Sequence, residues 1–543
     1  MPEDLRIEDL VGQVVAVGFP GHAPTPEVLQ LIQRYRVGNV ILFSRNVRDV
    51  QQLRELTATL QRAAFDAGHR QPLLIMIDQE NGVVRRLGKG ASVLPGSMAL
   101  GAAGDPECAR QVALATGREL RALGVNMNLA PVADVNNNPA NPVIGVRSFG
   151  EDPQAVGDMV AAAVEGYAEA GVISCLKHFP GHGDTAVDSH LALPVVPHDR
   201  ARLESVELPP FRRGIEAGAD SIMVAHLHLP AIMANEAPST VSPEVIDGLL
   251  RGALGFGGLV ITDCLEMRAV SETIGTERAA VLAIASGADV ALISHRHDRQ
   301  VGAVRALYAA LREGALSEDR LRDAADRVMR LKERLSWREA LEDGVPDWVG
   351  GEEHARLAQR VYEASVTLVR DDWGLLPLDA SALERVAVLY PAREEVTWAE
   401  DNRFPQGFAA AAVARRGVSV EGVPVPAAHD AETRAAVLRQ VEGADLVIYA
   451  TLNAHLYPDQ AALMRELLEA QVRVIGIAVR NPYDLLAFPA LGTYLATYEY
   501  TPGAVEAAVR VMFGEVEPRG RLPVSLPGLY PRGHGLKRWR RGR

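Results

Sequence analysis

The segment Lys177–His190 concentrates titratable side chains on a run that glycine and proline keep out of regular structure. Its sequence is KHFPGHGDTAVDSH, with three histidines, two aspartates and one lysine. Asp188 lies two residues before His190, close enough on extended or turn backbone for the carboxylate to accept from one imidazole nitrogen. We predict that this pair transfers protons through the second nitrogen and protonates a leaving group. His182, flanked by glycines, is expected to brace the loop.

Asp263 is a further residue for which the sequence predicts a clear chemical role. It follows the apolar run LVIT directly, so its carboxylate is expected to be held rigidly. An aspartate at such a place could instead cap the following helix. A carboxylate nucleophile together with a proton donor is the apparatus of retaining glycoside hydrolysis. We therefore predict that Asp263 is a nucleophile.

Polar side chains also follow other short apolar runs. The runs are VVAVGF, NVILF, LLIMID, VNMNLAPV, GVISCL, SIMVAH, LVITD and VALISH, and they are predicted to be buried strands. Residues at or just beyond their ends are Asp78, Asp134, Lys177, His178, His226 and Asp263. Residues that work in parallel barrels collect at strand ends, so one shared pocket is expected. Arg86, Arg147 and Lys177 would donate to sugar hydroxyls there and Asp78 would accept, although each arginine could instead form a surface ion pair.

A metal site competes for some of the same side chains. His178, His182, Asp184, Asp188 and His190 could offer nitrogen and oxygen ligands. Their spacing matches no ligand pattern with a mechanical basis, and Lys177 would place a positive charge beside the ion. We therefore expect no metal. We also expect no nucleotide cofactor, because GxGxxG and GxxxxGK[ST] patterns are missing from the strand and helix repeat of the C-terminal part.

The elements that must position these residues alternate between strands and helices. Eight strands over about 250 to 300 residues are typical of a TIM-like (β/α)8 barrel, although a doubly wound open sheet is possible. Residues 1–335 are predicted to form this catalytic barrel. Residues 336–360, interrupted by Pro346, Gly350 and Gly351, are the predicted linker. Residues 361–543 resume the alternation on a smaller scale and predict a three-layer α/β sandwich domain.

Composition sets limits on compartment and partners. A chain of 543 residues with 48% hydrophobic and 23% charged residues is that of an ordinary globular protein. The net charge of -13 argues against nucleic acid as a partner. Three widely spaced cysteines fit no disulfide framework, and no apolar run reaches the about 20 residues of a membrane helix. We expect a cytoplasmic protein with no membrane partner; the oligomeric state does not follow from the sequence.

Several motifs of the chain resemble glycoside hydrolase family 3, in its bacterial β-N-acetylglucosaminidase branch. They are LLIMIDQENG, LAPVADVNNNP, IGVRSFGEDP, KHFPGHGDTAVDSH and VITDCLEM, which follow one another along the chain in the order of the family. EASVTLVRDDWGLLPL and GRLPVSLP are similar, more weakly, to the family's α/β sandwich domain. The resemblance implies a retaining enzyme that releases terminal β-linked N-acetylglucosamine (GlcNAc), above all from anhydro-muropeptide disaccharides in peptidoglycan recycling.

The resemblance also implies roles for single residues. Asp263 falls on the family nucleophile, His190 on the acid/base histidine and Asp188 on its orienting partner. The residues that fall on the sugar-holding positions are Asp78, Arg86, Arg147, Lys177 and His178. The chain departs from the family pattern where Asn81 and Val83 replace a glycine and an arginine, a change expected to alter the sugar-binding edge.

Two alternatives to hydrolysis remain open from the sequence. A histidine acid/base does not repel phosphate as a carboxylate would, so a β-N-acetylglucosaminide phosphorylase is compatible with the same residues. A catalytically silent GlcNAc-binding protein would keep the fold without turnover.

Overall fold

The computed structural model describes residues 6–185, 192–342, 344–392, 400, 404–405 and 407–538. Each of the eight apolar runs overlaps a strand. The strands of the N-terminal domain are β1 Val15–Val17, β2 Asn39–Leu42, β3 Leu74–Ile77, β4 Met127–Asn128, β5 Cys175–Phe179, β6 Ser221–Val224, β7 Leu259–Thr262 and β8 Ala291–Ile293. Strand residues are buried on both faces, which is why their sequences are continuously apolar rather than alternating.

The eight strands do not form one continuous sheet, as the predicted barrel would require. They divide into a five-stranded parallel sheet of order β4-β3-β2-β1-β8 and a three-stranded parallel sheet of order β5-β6-β7. Single bridges join the two sheets, Met127 with Ile173 and Val132 with Lys177 on one side and Ile261 with Val290 on the other. Pro131 has no N–H to donate beside β5, so regular pairing stops there.

Helices follow most of these strands and begin at recognisable sequence signals. They are α1 Ile7–Gln13, α2 Pro26–Arg34, α3 Val50–Asp66, α4 Ser97–Ala103, α5 Pro106–Ala122, α6 Pro153–Ala170, α7 Arg200–Arg202, α8 Pro209–Glu216, α9 Arg268–Ser271, α10 Thr276–Ala285, α11 His297–Glu313, α12 Glu318–Lys332 and α13 Trp337–Ala340. In α6 the Asp152 side chain accepts from the Ala155 N–H, Pro153 is the first residue and Gly171 ends the helix with φ 73°. Asp-Pro at the start and glycine at the end are the expected caps.

The C-terminal domain is built on a six-stranded sheet of order β11-β10-β12-β13-β14-β9, with β9 antiparallel to β14 and the other pairs parallel. Its elements are α14 Glu352–Ser365, β9 Thr367–Asp371, β10 Arg385–Pro391, α15 Phe408–Ala414, β11 Ser419–Val425, α16 Ala431–Val441, β12 Leu446–Thr451, α17 Pro458–Glu469, β13 Val474–Ala478, β14 Thr493–Ala496 and α18 Pro502–Met512. Alternate residues of β10 pack into two different core clusters, with α15 and α18 on one face and α16 and α17 on the other.

The two domains share hydrophobic cores. One cluster joins Leu176 and Phe179 of β5 to Tyr362 of α14, and another joins Val83 and Val146 to the C-terminal sheet. The segments that follow β3 and β4 therefore pack directly against the C-terminal domain. Among the helices of the described ranges, none is long and apolar enough to cross a bilayer.

Candidate active site

A cavity of about 530 Å³ opens at the carboxyl ends of the N-terminal strands. We call it the strand-end cavity. Its floor is apolar and comes from Ile41, Leu129, Met223 and Leu292. Its polar lining includes the predicted nucleophile and sugar-binding residues of the described ranges, namely Asp78, Arg86, Arg147, Lys177, His178 and Asp263. Asp134 and His226, which the sequence also assigned to this pocket, do not line it, and the fully buried His226 ring contacts Thr240 Oγ1 and Cys264 O instead. Residues that are far apart in sequence thus face one space of the size that holds a small ligand.

Glu80 is the centre of the charged part of this cavity, and sequence reasoning missed it. Its Oε1 lies 2.6 Å from Lys177 Nζ and 2.8 Å from Arg147 Nη2, and its Oε2 accepts from Arg147 Nε at 2.9 Å. Lys177 Nζ also donates to Asp78 Oδ1 at 2.7 Å. Two carboxylates thus share two cations in a bidentate network. The signal in the sequence that could have indicated Glu80 was its position two residues after Asp78 in the motif DQE.

Burial and charge act in opposite directions on Glu80. Burial alone would raise the pKa of its carboxyl, but the charges and hydrogen bonds of Arg147 and Lys177 outweigh burial and hold the pKa well below its ordinary value. Burial by itself would lower the pKa of the Lys177 ammonium group. The negative charges of Asp78 and Glu80 outweigh this effect, so the pKa is raised. Glu80, Lys177 and Arg147 are therefore charged at neutral pH, which suits the two cations to donate to hydroxyl groups.

Asp134 orients His178 from beneath the cavity. Asp134 is fully buried, and its Oδ2 lies 2.7 Å from His178 Nδ1. This contact puts the proton on Nδ1, so that Nε2 can accept from Arg147 Nη2 at 3.2 Å. Burial raises the pKa of the Asp134 carboxyl, but His178 and His182 outweigh it and the pKa is lowered. The sequence places Asp134 at a strand end without showing this supporting role.

Asp263 follows the last residue of β7 and is held on both sides. Its N–H donates to Val224 O at 2.9 Å, and its Oδ1 accepts from the Cys264 N–H at 2.7 Å. The alternative role as a helix cap is wrong, because α9 begins at Arg268 and Met267 stands in the cap position. The carboxylate instead faces the strand-end cavity.

Arg86 and the two departures from the family pattern occupy different surroundings. Arg86 is buried and lines the cavity, and its backbone N–H donates to Gln79 Oε1 at 2.8 Å. Asn81 has φ 69° and its Nδ2 donates to Thr116 Oγ1 at 2.9 Å, away from the lining. Val83 packs in a core shared with the C-terminal domain. Neither departure lines the cavity, so any effect of these two residues on the sugar-binding edge would act through the packing of neighbouring residues.

The predicted acid/base pair, Asp188 and His190, lies outside the described residues. The residues that lead into that stretch are fixed by Asn141, whose Nδ2 donates to His182 O and Gly183 O, each at 2.9 Å. His182 Nδ1 lies 2.8 Å from Thr185 Oγ1. Burial lowers the pKa of His182 to about 4, so the ring is neutral and braces the loop as a hydrogen-bonding group.

Two groups of side chains could bring three metal ligands together in the part of the chain that the structure describes. They are Cys264 with Glu266 and His295, and Asp184 with His198 and Glu207. In the second group Arg202 Nη2 already contacts Asp184 at 3.4 Å and Glu207 at 3.1 Å, in competition with an ion. The metal alternative drawn from the sequence grouped His178, His182, Asp184, Asp188 and His190. Asp188 and His190 lie outside the described residues, and the other three do not form such a group with one another.

Comparisons with known proteins identify the family of this chain. Residues 6–331 match the model of the glycosyl hydrolase family 3 N terminal domain. The chain is 33% identical to the β-hexosaminidase A of Pseudoalteromonas piscicida, over 92% of this chain and 91% of that protein. It is 30% identical to a β-N-acetylglucosaminidase/β-glucosidase of Cellulomonas fimi, over 92% and 90% of the two chains.

A solved structure extends the similarity to the whole fold. The family 3 β-N-acetylglucosaminidase of Paenibacillus sp. str. FPU-7 is 41% identical, with a TM-score of 0.91, and the match covers 96% of this chain and 99% of that one. Both domains are therefore included in the likeness. With a family model that matches more than half of the sequence, this chain belongs to glycosyl hydrolase family 3.

Proposed function

We propose that this protein is a retaining exo-β-N-acetylglucosaminidase that removes terminal β-linked GlcNAc. The observation that carries the proposal is the position of Asp263, which lines the same cavity as the Asp78–Lys177–Glu80–Arg147 network. Relatives named β-hexosaminidase and β-N-acetylglucosaminidase support GlcNAc as the sugar.

Asp263 acts as the nucleophile in this proposal. A carboxylate oxygen attacks the anomeric carbon while the bond to the aglycone oxygen breaks, which leaves a glycosyl-enzyme ester. The Cys264 N–H at 2.7 Å fixes the carboxylate orientation. His190, held by Asp188, gives its proton to the departing oxygen and then takes one from the water that hydrolyses the ester. These two roles come from the family resemblance.

The charged network holds the sugar during both steps. Asp78 accepts hydrogen bonds from hydroxyl groups, while Lys177, Arg147, Arg86 and the Nε2 side of His178 form the rest of the binding surface. Lys177 and Arg147 are locked by Glu80, so little side-chain entropy is lost when the sugar binds. This preorganisation favours a fixed sugar orientation above Asp263.

We also infer that the two N-terminal sheets close into one (β/α)8-type barrel. Every one of the eight strands contributes to a single buried cluster, through Ala16, Ile41, Met76, Met127, Cys175, Met223, Ile261 and Leu292. A shared interior and bridges on both sides are what a closed barrel requires. The proposed boundaries are residues 1–335 for the barrel, 336–360 for the linker and 361–543 for the C-terminal domain, with α14 running from the linker into that domain.

The natural substrate that we propose is the GlcNAc–anhydro-muramic disaccharide of peptidoglycan recycling in the cytoplasm. The three free cysteines, Cys108, Cys175 and Cys264, support a reducing compartment. Release of GlcNAc from the purified disaccharide, with a kcat/KM above that for chitobiose, would support this role. A preference for chitobiose would contradict it.

The first test is turnover of 4-nitrophenyl β-N-acetylglucosaminide, with the glucoside in parallel. We expect release from the GlcNAc substrate, and Asp263→Asn should lower kcat by at least about 10³-fold. A matched control is Asp298→Asn, an exposed aspartate on α11. Full turnover by Asp263→Asn would contradict the mechanism. No turnover by the unsubstituted protein would favour a silent GlcNAc-binding protein.

The sugar product distinguishes water from phosphate as the second nucleophile. In phosphate buffer a hydrolase yields free GlcNAc, whereas a phosphorylase yields GlcNAc-1-phosphate. His190→Ala should lose about 10²-fold or more on a poor leaving group and far less on the 4-nitrophenyl glycoside, which departs with little protonation. Equal losses on both substrates would contradict the role of His190.

A further inference from the structure

The C-terminal domain contributes no side chain to the lining of the strand-end cavity in the described ranges. Side chains of the C-terminal domain do contact residues 136–147, the segment that leads from β4 to the cavity. His455 Nε2 lies 3.1 Å from Pro139 O, and Tyr483 OH accepts from Asn136 Nδ2 at 3.0 Å. Asn481 packs against Gly145. We call His455, Asn481 and Tyr483 the C-terminal clamp.

This segment carries two side chains, those of Asn141 and Arg147, that affect the geometry of the cavity. Asn141, two residues after Pro139, holds the backbone of His182 and Gly183 and so fixes the start of the loop after β5. Arg147, at the other end of the segment, contacts Glu80 and His178. A shift of this segment would therefore move a binding residue and the loop together.

His455 is suited by its chemistry to a fixed contact. Its Nδ1 lies 3.1 Å from Asp484 Oδ1, while Nε2 faces the carbonyl of Pro139. Both ring nitrogens face acceptors, so the ring donates to both when it carries two protons. Asp484 is fully buried and the His455 side chain is only 8% exposed. The ring is therefore held between two acceptors in buried surroundings, which fixes its position.

We propose that His455 is a positioning residue, which acts on the sugar site through Pro139 and Arg147. The C-terminal domain is then part of the catalytic unit. The kinetic half of this inference rests on the proposed glycosidase function, whereas the anchoring of residues 136–147 does not. Because a displacement of about 1 Å costs up to about 100-fold in rate, loss of the contact should be measurable.

Two isosteric substitutions separate the two contacts of His455. The amide nitrogen of His455→Gln takes the place of Nε2 and keeps the bond to Pro139 O. The amide nitrogen of His455→Asn takes the place of Nδ1 and keeps only Asp484. If His455 serves only the structure of its own domain, the asparagine variant should behave more like the unsubstituted protein. If His455 positions residues 136–147, the glutamine variant should do so. His534→Asn is the matched control, because His534 Nε2 contacts Val369 O inside its own domain at 2.8 Å.

The experiment measures KM and kcat on 4-nitrophenyl β-N-acetylglucosaminide, and hydrogen–deuterium exchange of residues 136–147, in the full chain. We expect His455→Asn to raise KM by about tenfold or more and to speed exchange in that segment. His455→Gln and His534→Asn should stay close to the unsubstituted protein in both readouts. In an Arg147→Ala background, His455→Asn should raise KM by a smaller factor than it does in the unsubstituted protein.

Either of two results would overturn the inference. One is equal behaviour of His455→Asn and His455→Gln in exchange. The other is a kinetic loss of the same size with and without Arg147. If the unsubstituted protein hydrolyses no aryl glycoside, the proposed function is wrong, and the exchange rates alone still decide whether His455 anchors the segment.

Discussion

At the scale of single residues, Glu80 determines whether the cavity can keep two buried cations. The side chains of Lys177 and Arg147 are 2% and 5% exposed. Burial of an unpaired charge is far costlier than burial of a paired one. Glu80 touches both cations, whereas Asp78 touches only Lys177. The proposed sugar-binding surface therefore depends on a carboxylate that need not touch the sugar.

Glu80→Gln tests this dependence. The amide keeps the shape but removes the charge, so the free energy of unfolding should fall by about 3 to 5 kcal/mol and KM should rise. Thermal and urea unfolding measure the first effect and steady-state kinetics the second. Glu107→Gln, in an exposed pair with Arg110, is the control and should leave both unchanged. A Glu80→Gln protein with unchanged stability would show that water or a rearranged side chain neutralises the cations.

The acid side of the stability profile should also depend on Glu80. Its folded-state pKa is depressed, so its stabilising contribution is fully present above the unfolded-state pKa of about 4.3. The contribution is lost as the pH falls below that value. Glu80→Gln should therefore lose less stability than the unsubstituted protein between about pH 5 and pH 3.

At the scale of elements, the connection from β4 to α6 links the site to the C-terminal domain. This connection carries no long helix or strand, so contacts with its neighbours must define its path. Gly145 shows how close the packing is. Its φ is 45°, and a Cβ built there would lie 2.5 Å from Asn481 Oδ1. A residue with a side chain would meet both backbone strain and a steric clash.

Gly145→Ala is expected to lower the melting temperature and to raise KM, because Arg147 lies two residues further along. The left-handed backbone alone costs about 1 to 2 kcal/mol. Asn481→Gly should relieve the clash and restore part of the loss in the double variant, which thermal unfolding and kinetics would detect. Gly257→Ala is the control, since its Cβ would meet nothing within 4 Å. If Gly145→Ala matched that control, the close approach would carry no constraint.

At the scale of the whole molecule, a buried carboxyl lies where the two domains meet. Glu499 of the C-terminal domain accepts from the Gly96 N–H at 3.4 Å, and its other surroundings include Arg85 and Tyr362. Burial raises the pKa of Glu499 to about 8, and the offsetting effects of Gly96, Tyr362 and Arg85 are smaller. The interface therefore prefers the neutral acid.

This preference predicts how stability varies with pH. Between about pH 4.5 and pH 8 the folded protein retains a proton that the unfolded chain has released, so stability falls as the pH rises through this window. The slope from this group is at most about 1.4 kcal/mol per pH unit. Glu499→Gln should remove that slope and raise the melting temperature at pH 8 more than at pH 5.

The control for Glu499 is Glu517→Gln, an exposed residue of the same domain. The Glu517→Gln variant should show the same dependence of stability on pH as the unsubstituted protein. Parallel curves for Glu499→Gln and the unsubstituted protein would contradict the prediction, because they would place the ionisation of Glu499 outside the window.

The sequence by itself determined the strands and the residues at their ends. Apolar runs of five to eight residues predict buried parallel strands, because such strands must be apolar on both faces. Their carboxyl ends share one edge, so Asp78, Lys177, His178 and Asp263 could be assigned to one pocket before any coordinates were known. The resemblance of the surrounding motifs added the sugar chemistry.

Tertiary structure decided the contacts that hold those residues in place. Glu80 and Arg147 are 67 residues apart, and His455 and Pro139 are 316 residues apart. No local pattern of hydrophobicity or capping encodes such pairs, because they form only when separately folded elements pack on a shared core. The sequence thus determined which groups could do the chemistry, and packing between the domains decided which neighbours orient them.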